Sequence, residues 1–310
     1  MSTVKELGKF SPQKDILLTI GVFDGVHLGH KHLISKLKEL ARKQGVLSGV
    51  ITFSQHPQEV LSPQTRLPSL TGIEQKLALL RDEGVDIVIP LPFTPQLASL
   101  SPEQFLSLLK EYLKMKGLVV GPDFALGKDR QGDIDALRRL GQKIGFSITV
   151  VPPMTIDGEV VSSTAIRKAL AEGDVKLAQK LLGRPFSLQG RVVSGDRRGT
   201  DLDFPTANLE VAPGRALPAG GVYACRAYID GQSYPAMTNI GSRPTFGGGQ
   251  RLIEVYLLDY NGDLYGRELA IDIIGRLRDE KKFDTPEQLK EQIAEDIKQG
   301  KEMLKTRGES

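Results

Sequence analysis

The sequence predicts two domains: an α/β domain built on a mainly parallel sheet, then an antiparallel β-barrel domain with a closing helix. The length of 310 residues corresponds to two domains of about 100–200 residues each. Up to about residue 183, apolar strands alternate with amphipathic helices, as in a sheet that helices cover on both faces. From residue 186 onward, short runs with period two lie between Gly, Pro and Asp turns, which is typical of an antiparallel barrel.

The elements of the first half follow one another as strand and helix. The predicted strands are residues 16–22, 46–53, 85–91, 118–121 and 147–151, and the predicted helices are residues 28–44, 71–83, 101–116 and 134–144. Capping boxes predict where two of these helices begin, with Thr71 and Glu74 in one and Ser101 and Gln104 in the other.

The second half contains five runs that predict antiparallel strands: residues 186–193, 222–229, 233–240, 252–258 and 268–274. Two short helices, residues 164–171 and 175–182, precede the change of pattern. We therefore expect a first domain of residues 1–184 and a second of residues 185–310. Thr285 and Gln288 form a third capping box, which begins a closing helix that runs to about residue 303.

Composition excludes several classes of protein. The 41 Lys and Arg nearly balance the 38 Asp and Glu, so a nucleic-acid coat or a polybasic membrane anchor gains no support. The single cysteine, Cys225, excludes a disulfide framework within the chain and a Cys-rich zinc site. The sequence shows neither a signal-peptide core nor a run of 18 apolar residues. We expect a soluble cytoplasmic protein with small-molecule partners, and the oligomeric state stays open.

The segment of residues 20–32, IGVFDGVHLGHKH, joins the first strand to the first helix. Open α/β sheets bind ligands at the carboxyl ends of their strands, and free N–H groups at a helix start favour phosphate. Gly29 lets a nucleotide approach the backbone, and His27 and His30 can donate hydrogen bonds to phosphoryl oxygens. The alternative is a pair of ordinary surface histidines beside a helix cap.

Two further segments favour phosphate binding. Residues 161–167, VSSTAIR, offer hydroxyls and N–H groups at a helix start, and Arg167, one turn in, can reach a phosphate. Residues 120–128, VGPDFALGK, form a glycine-containing loop. It is not a Walker A loop, because Asp129 stands where Ser or Thr would be needed.

These segments resemble the signatures of HIGH-type nucleotidyltransferases and of bacterial FAD synthetases, whose patterns are GxFDxxHxGH, TFxxHP, VGxDFxFG and ISSTxxR. The resemblance implies a Rossmann-like domain in which His27, His30 and Arg167 hold a nucleoside triphosphate and stabilise the transition state. It also implies nucleotide contacts by Gly21, Phe23, Asp24, Gly29, Asp123, Gly127, Ser162, Ser163 and Thr164. Leu126 replaces the usual aromatic residue of VGxDFxFG. Residues 52–57, TFSQHP, match TFxxHP, and their His56 suits a structural turn as well as a ligand contact.

Residues 190–208, GRVVSGDRRGTDLDFPTAN, combine a glycine loop with a polar tripeptide. Gly195 and Gly199 suit a mobile flap over phosphates, although a long exposed hairpin loop is the alternative. Thr206 and Asn208 are two residues apart and therefore lie on one face of an extended chain. Their neutral oxygens suit Mg²⁺ that already carries nucleotide phosphates.

This segment resembles the GxVxxGxxxGxxLGFPTAN pattern of riboflavin kinases, with Asp203 in place of a glycine. The resemblance implies a six-stranded barrel, ATP contacts at Gly195, Gly199 and Thr206, and Mg²⁺ on Thr206 and Asn208. It further implies that Glu254 is the general base for the riboflavin 5′-hydroxyl, and that Arg278 and Phe283 contact the flavin. A carboxylate is costly to bury in an apolar strand, so a partnered structural role for Glu254 is the alternative.

Both halves together resemble bifunctional prokaryotic riboflavin kinase/FAD synthetases. The resemblance implies that the second domain makes FMN from riboflavin and ATP. The first domain then makes FAD and pyrophosphate from FMN and a second ATP. Asp203 leaves open an FMN adenylyltransferase with a kinase-impaired barrel. A non-enzymatic flavin- or RNA-binding protein is a third interpretation, and the absence of a basic-aromatic stripe argues against RNA.

Overall fold

The computed structural model describes residues 3–62, 64, 67–194, 204–242 and 251–305. Contacts between Cα atoms divide the chain into two units, Met1–Ser163 and Thr164–Ser310. In the described part of the chain, no helix has both the length and the apolar composition to cross a membrane.

The first unit is built on a parallel sheet with the strand order β3-β2-β1-β4-β5, which confirms the predicted α/β class. Its strands are β1 (Ile16–Gly21), β2 (Leu47–Phe53), β3 (Ile87–Leu91), β4 (Met115–Val120) and β5 (Ser147–Val150), followed by a small hairpin of β6 (Thr155–Ile156) and β7 (Glu159–Val160). Its helices are α1 (Thr3–Gly8), α2 (Leu28–Gln44), α3 (Pro57–Leu61), α4 (Ile73–Asp82), α5 (Pro95–Ala98), α6 (Pro102–Leu113) and α7 (Ile134–Ile144).

Helices cover both faces of this sheet because its strands are apolar on both sides. On β1, Ile16, Leu18 and Ile20 pack with α1, α6 and α7, whereas Leu17 points to the opposite face and packs with α2 and α4. The chain places β2 and β3 on one side of β1 and β4 on the other side. The carboxyl ends of β1 and β4 are therefore a topological switch point, where sheets of this kind bind ligands.

In the second unit, six described strands close into an antiparallel barrel with the order β10-β11-β12-β9-β8-β13. The strands are β8 (Phe186–Val193), β9 (Ala207–Val211), β10 (Gly221–Ile229), β11 (Gln232–Ser242), β12 (Arg251–Leu257) and β13 (Glu268–Arg278), and the helices are α8 (Ser163–Ala171), α9 (Val175–Leu182) and α10 (Pro286–Lys305). The barrel and its closing helix confirm the predicted architecture. Strand β9 was not predicted, because five residues are too few to show a clear alternation.

The division between the units lies earlier than the change of sequence pattern. Helix α9 packs on β8 and β13, and the N–H of Ala219 donates to the carbonyl of Leu170 in α8 at 2.8 Å. By their contacts, α8 and α9 therefore belong with the barrel. The domain boundary at residue 184, which we predicted from the change of sequence pattern, stays a prediction.

The capping boxes have three different outcomes. The box of Ser101 and Gln104 is confirmed, with both reciprocal hydrogen bonds present. The box at Thr71 is wrong, because α4 begins one residue later, after Gly72, and has no side-chain cap. The Thr71 hydroxyl instead accepts from the N–H of Gly25 and donates to Asp24, both in the loop after β1. Thr285 caps the N–H of Gln288, but the Gln288 side chain accepts from Asp284 rather than from Thr285.

The barrel wall leaves no space for a side chain at Gly190 on β8. A Cβ there would overlap the carbonyl oxygen of Glu210 on β9, and backbone cannot move aside cheaply. We predict that Gly190→Ala lowers the free energy of unfolding by about 1–3 kcal/mol, measured by denaturant unfolding. Gly8→Ala is the control, because its Cβ would meet only Tyr112 at 3.9 Å. Equal stability of the two variants would contradict the prediction.

Candidate active sites

The first candidate site is the segment of residues 22–30, which follows β1 and includes the first turn of α2; we call it the histidine loop. Phe23, Gly25 and Val26 all have positive φ, at 51°, 84° and 38°. For the two residues with side chains this conformation costs about 1–3 kcal/mol each, so it persists only where the surroundings hold it. Such clusters of strain are typical of functional loops.

The two predicted histidines lie together at the start of α2. His27 is the N-cap, and its Nδ1 accepts from the N–H of His30 at 3.3 Å. Because Nδ1 accepts, Nε2 is the ring nitrogen of His27 that is left to donate. The two imidazole rings stack with 3.6 Å between centroids and 19° between planes.

His30 has the chemistry of an uncharged hydrogen-bonding group. Its ring meets the edge of Phe23 with 5.0 Å between centroids. Burial, and then the nearby charges of His27 and Lys76, hold the pKa of His30 well below its usual value. Among the described residues, Nδ1 of His30 is buried without a hydrogen-bond partner. His30 therefore presents a neutral imidazole, stacked on His27, at a helix N-terminus, where an anion is favoured.

Asp24 and Ser163, both predicted to contact nucleotide, also hold the histidine loop. The Asp24 carboxylate accepts from the N–H groups of Leu70 and Thr71 at 2.9 and 3.0 Å and from the Thr71 hydroxyl at 3.2 Å. The Asp24 carbonyl accepts from the Ser163 hydroxyl at 2.9 Å. The sequence did not indicate this use of Asp24, since its partners lie far along the chain.

The predicted glycines are required for close packing here. A Cβ at Gly29 would lie 3.0 Å from the carbonyl oxygen of Val161 and 3.1 Å from Nδ1 of His27, and one at Gly21 would lie 3.0 Å from the Phe23 ring. Gly29 thus lets the first residue of the VSSTAIR segment, Val161, approach the histidines.

The loop that contains Asp123 and Gly127 follows β4 and therefore flanks the switch point opposite the histidine loop. Gly127 has a φ of 76°, and a Cβ there would meet Pro102 at 2.7 Å. Leu126 is buried in the core beside α6, which explains why an aliphatic residue suffices. His56 caps α3 by accepting from the N–H of Gln58, so its turn role is observed.

The remaining residues of the VSSTAIR segment divide between the units. Ser162 belongs to the first unit, whereas Thr164 and Arg167 lie on α8 and belong to the second. Their contribution to nucleotide binding stays a prediction.

The second candidate site is a cavity of about 580 Å³ in the second unit, and it contains both predicted magnesium ligands, Thr206 and Asn208. The other lining residues are Val192, Val193, Ser194, Pro205, Ala207, Leu257, Tyr260, Gly262, Asp263, Leu264 and Tyr265. A hydroxyl and an amide oxygen on one wall fit Mg²⁺, which prefers oxygen and shares its sphere with substrate phosphates. Gly195, Gly199 and Asp203 lie outside the described residues.

Glu254 is the strand neighbour of Asn208, one of the residues that line this cavity. In the barrel, Glu254 of β12 pairs directly with Asn208 of β9 on one side and with Asn239 of β11 on the other. Directly paired residues share a face, and Nδ2 of Asn239 donates to Oε2 of Glu254 at 3.2 Å. Sequence reasoning missed Asn239, although an amide in an apolar strand was a usable signal.

Arg278 and Phe283 contact each other, but the guanidinium of Arg278 already has a partner. Its Nε and Nη2 donate to the two carboxylate oxygens of Asp296 on α10 at 2.9 and 2.8 Å, and Asp296 is only 4% exposed. The guanidinium carbon lies 5.8 Å from the Phe283 ring centroid. The arrangement anchors α10 to the barrel, and a flavin contact by either residue stays a prediction.

Two family models match the chain in succession. Residues 9–165 match the model described as FAD synthetase, and residues 182–304 match the one described as riboflavin kinase. A bifunctional riboflavin kinase/FMN adenylyltransferase from Pseudomonas fluorescens is 41% identical over 300 residues, covering 96% of both chains. The chain belongs to this bifunctional family. The Escherichia coli K12 member of the family is 40% identical, with 92% of each chain covered.

Similarity extends to more distant members and to a solved structure. The Listeria monocytogenes member of the bifunctional family is 37% identical over 90% of each chain. A crystal structure reported as a macrolide-efflux protein from Streptococcus pneumoniae is 33% identical, with a TM-score of 0.85, and the match covers 93% of this chain and 94% of that one. The histidine loop lies in the stretch matched to FAD synthetase, and the cavity and Glu254 lie in the stretch matched to riboflavin kinase.

The ion pair between Arg278 and Asp296 gives a stability prediction. Asp296→Ala leaves a buried guanidinium without its carboxylate, so the free energy of unfolding should fall by about 3–5 kcal/mol in denaturant titration. Lys301→Ala, on the same helix, removes an exposed ion pair at 3.7 Å and should change it little. If Asp296→Ala were as stable as Lys301→Ala, the pair would not anchor the helix.

Proposed function

We propose that this member of the bifunctional riboflavin kinase/FMN adenylyltransferase family runs both reactions, one in each unit, with the residues described above in specific roles. The observation that carries the proposal is that each family model covers a region holding its own polar site: the stacked histidines in one, and in the other the cavity whose lining residue Asn208 pairs with Glu254. Full-length bifunctional relatives favour this interpretation over a kinase-impaired barrel.

In the kinase reaction, ATP occupies the 580 Å³ cavity and the riboflavin 5′-hydroxyl lies at Glu254. Glu254 accepts the hydroxyl proton as that oxygen attacks the γ-phosphorus of ATP, and ADP leaves. Asn239 holds the carboxylate in place through its amide. Mg²⁺, held by Thr206 and Asn208, offsets the negative charge of the phosphates when it is bound. The adjacency of Asn208 and Glu254 supports this assignment.

In the adenylyl transfer reaction, an FMN phosphate oxygen attacks the α-phosphorus of ATP and pyrophosphate leaves. His27 and His30 donate hydrogen bonds to phosphoryl oxygens as charge develops, and the N-terminus of α2 adds its dipole. Arg167 contributes positive charge in this proposal. The stacking of the two rings and the lowered pKa of His30 support a role as donors rather than as a nucleophile.

His30→Ala should separate the two reactions. Loss of one donor of this type lowers the rate on the order of 10²–10³-fold, so FAD formation from FMN should fall by that factor while FMN formation from riboflavin continues. Chromatography of the flavins measures both rates. His32→Ala, two residues further along α2, is the control and should keep both. Normal FAD output from His30→Ala would refute the role of the histidine.

Glu254→Gln should have the opposite effect. The amide keeps the shape of the side chain but cannot accept the hydroxyl proton, so FMN formation should fall on the order of 10²–10⁴-fold while added FMN is still converted to FAD. Glu210→Gln, at an exposed position of β9, is the matched control. A wild-type rate of FMN formation in Glu254→Gln would mean that the base is another group.

A further inference from the structure

Lys76 is a buried lysine that the sequence did not single out. It lies on the first turn of α4 and is only 6% exposed. Its Nζ donates to the carbonyl of Phe53, at the end of β2, at 2.7 Å and to the carbonyl of Val22, just after β1, at 3.1 Å. An ammonium group is costly to bury, so two carbonyl partners at strand ends mark a specific requirement for it here.

Lys76 is part of a segment that holds the histidine loop along its length. Residues 70–76, which we call the anchoring segment, bind three residues of the loop: Lys76 binds Val22, while Leu70 and Thr71 bind Asp24, and Thr71 also binds the N–H of Gly25. Each of these contacts joins positions about 50 residues apart in the chain.

The contact at Val22 is the one that reaches the histidines. Val22 immediately precedes Phe23, whose φ is 51° and whose ring edge meets His30 with 5.0 Å between centroids. The Val22 carbonyl also accepts from the Thr52 hydroxyl at 3.0 Å. The donors from Lys76 and Thr52 hold the Val22 carbonyl, at the start of the histidine loop, in place. They therefore set the direction in which the chain continues to Phe23.

We propose that Lys76 is a positioning residue for adenylyl transfer: its buried ammonium fixes the start of the histidine loop, at Val22, and thereby orients the stacked imidazoles. This inference rests on the proposed function of the first unit and assigns a residue that does not touch substrate.

The charge of Lys76 has a second consequence. Within the first unit, the groups whose charge acts on His30 are His27 and Lys76, and the Asp24 carboxylate in turn acts on Lys76. Burial lowers the pKa of Lys76, and Asp24 partly opposes that change. A positive Lys76 disfavours a second positive charge on His30 and so favours the neutral form of that histidine. Removal of the lysine charge therefore raises the pKa of His30.

The test compares Lys76→Met with Lys76→Arg in the full-length protein. We expect Lys76→Met to lower kcat for FAD formation at least about tenfold, while the kinase reaction of the same chain is unchanged and reports a folded second unit. Lys76→Arg keeps the charge and the donors and should restore most of the rate. Lys110→Met is the matched control, because Lys110 also donates to two backbone carbonyls, of Ile144 and Gly145, but outside the loop.

A second readout separates positioning from general destabilisation. The chain has four histidines, so their titrations can be followed individually by NMR. In Lys76→Met the midpoint of His30 should move to higher pH, and in Lys110→Met it should stay at the wild-type value. Lys76→Gln keeps a hydrogen-bond donor but no charge, so it should show the same shift of the His30 midpoint with a smaller loss of rate. It replaces Lys76→Met in the test if that variant does not fold.

Three results would overturn the proposal: a wild-type kcat in Lys76→Met, a lost rate with no movement of the His30 midpoint, or an equal loss in Lys110→Met. The wild-type protein is assayed first with FMN and ATP. If it makes no FAD, the proposed function fails, whereas FAD formation that is insensitive to Lys76 defeats only this inference.

Discussion

The carboxylate of Asp24 is buried, and it accepts hydrogen bonds from the backbone of residues 70 and 71 and from the Thr71 hydroxyl. A loop with several positive φ values cannot keep its shape alone, since each strained residue would relax in isolation. The bonds to Asp24, together with those of Lys76 to two strand ends, compensate for that strain. The position of His27 and His30 at the helix start depends on this anchoring.

The barrel positions its polar residues by strand pairing rather than by long-range side-chain contacts. The carboxylate proposed as its general base, Glu254, lies in a regular strand, where pairing with β9 and β11 brings two amides beside it. The same face of the barrel carries Arg278, whose ion pair with Asp296 holds α10. Strand pairing therefore positions the residues of the proposed kinase site, whereas long-range side-chain contacts position those of the proposed adenylyl transfer site.

The periodicity of apolar residues made the fold predictable. The sites were less predictable, because they depend on contacts between residues that are distant in the sequence. The parallel sheet, the barrel and the closing helix follow from apolar patterns, and the histidines follow from a motif at a strand end. Lys76 was missed, because a polar residue in an amphipathic helix is normally solvent-exposed. Thr71 fits a local capping box, yet its hydroxyl bonds Asp24, which no local pattern reveals. The division at Ser163 depends on packing, which the sequence pattern does not report.

The measurement that tests this account most directly is a time course of products from the wild-type protein with riboflavin, excess ATP and Mg²⁺, separated by chromatography. The account predicts that FMN and ADP form first, and that FMN is then converted to FAD with release of an equal amount of pyrophosphate. FMN that accumulates without conversion, or FAD that forms only when FMN is supplied, would contradict the assignment of one reaction to each unit.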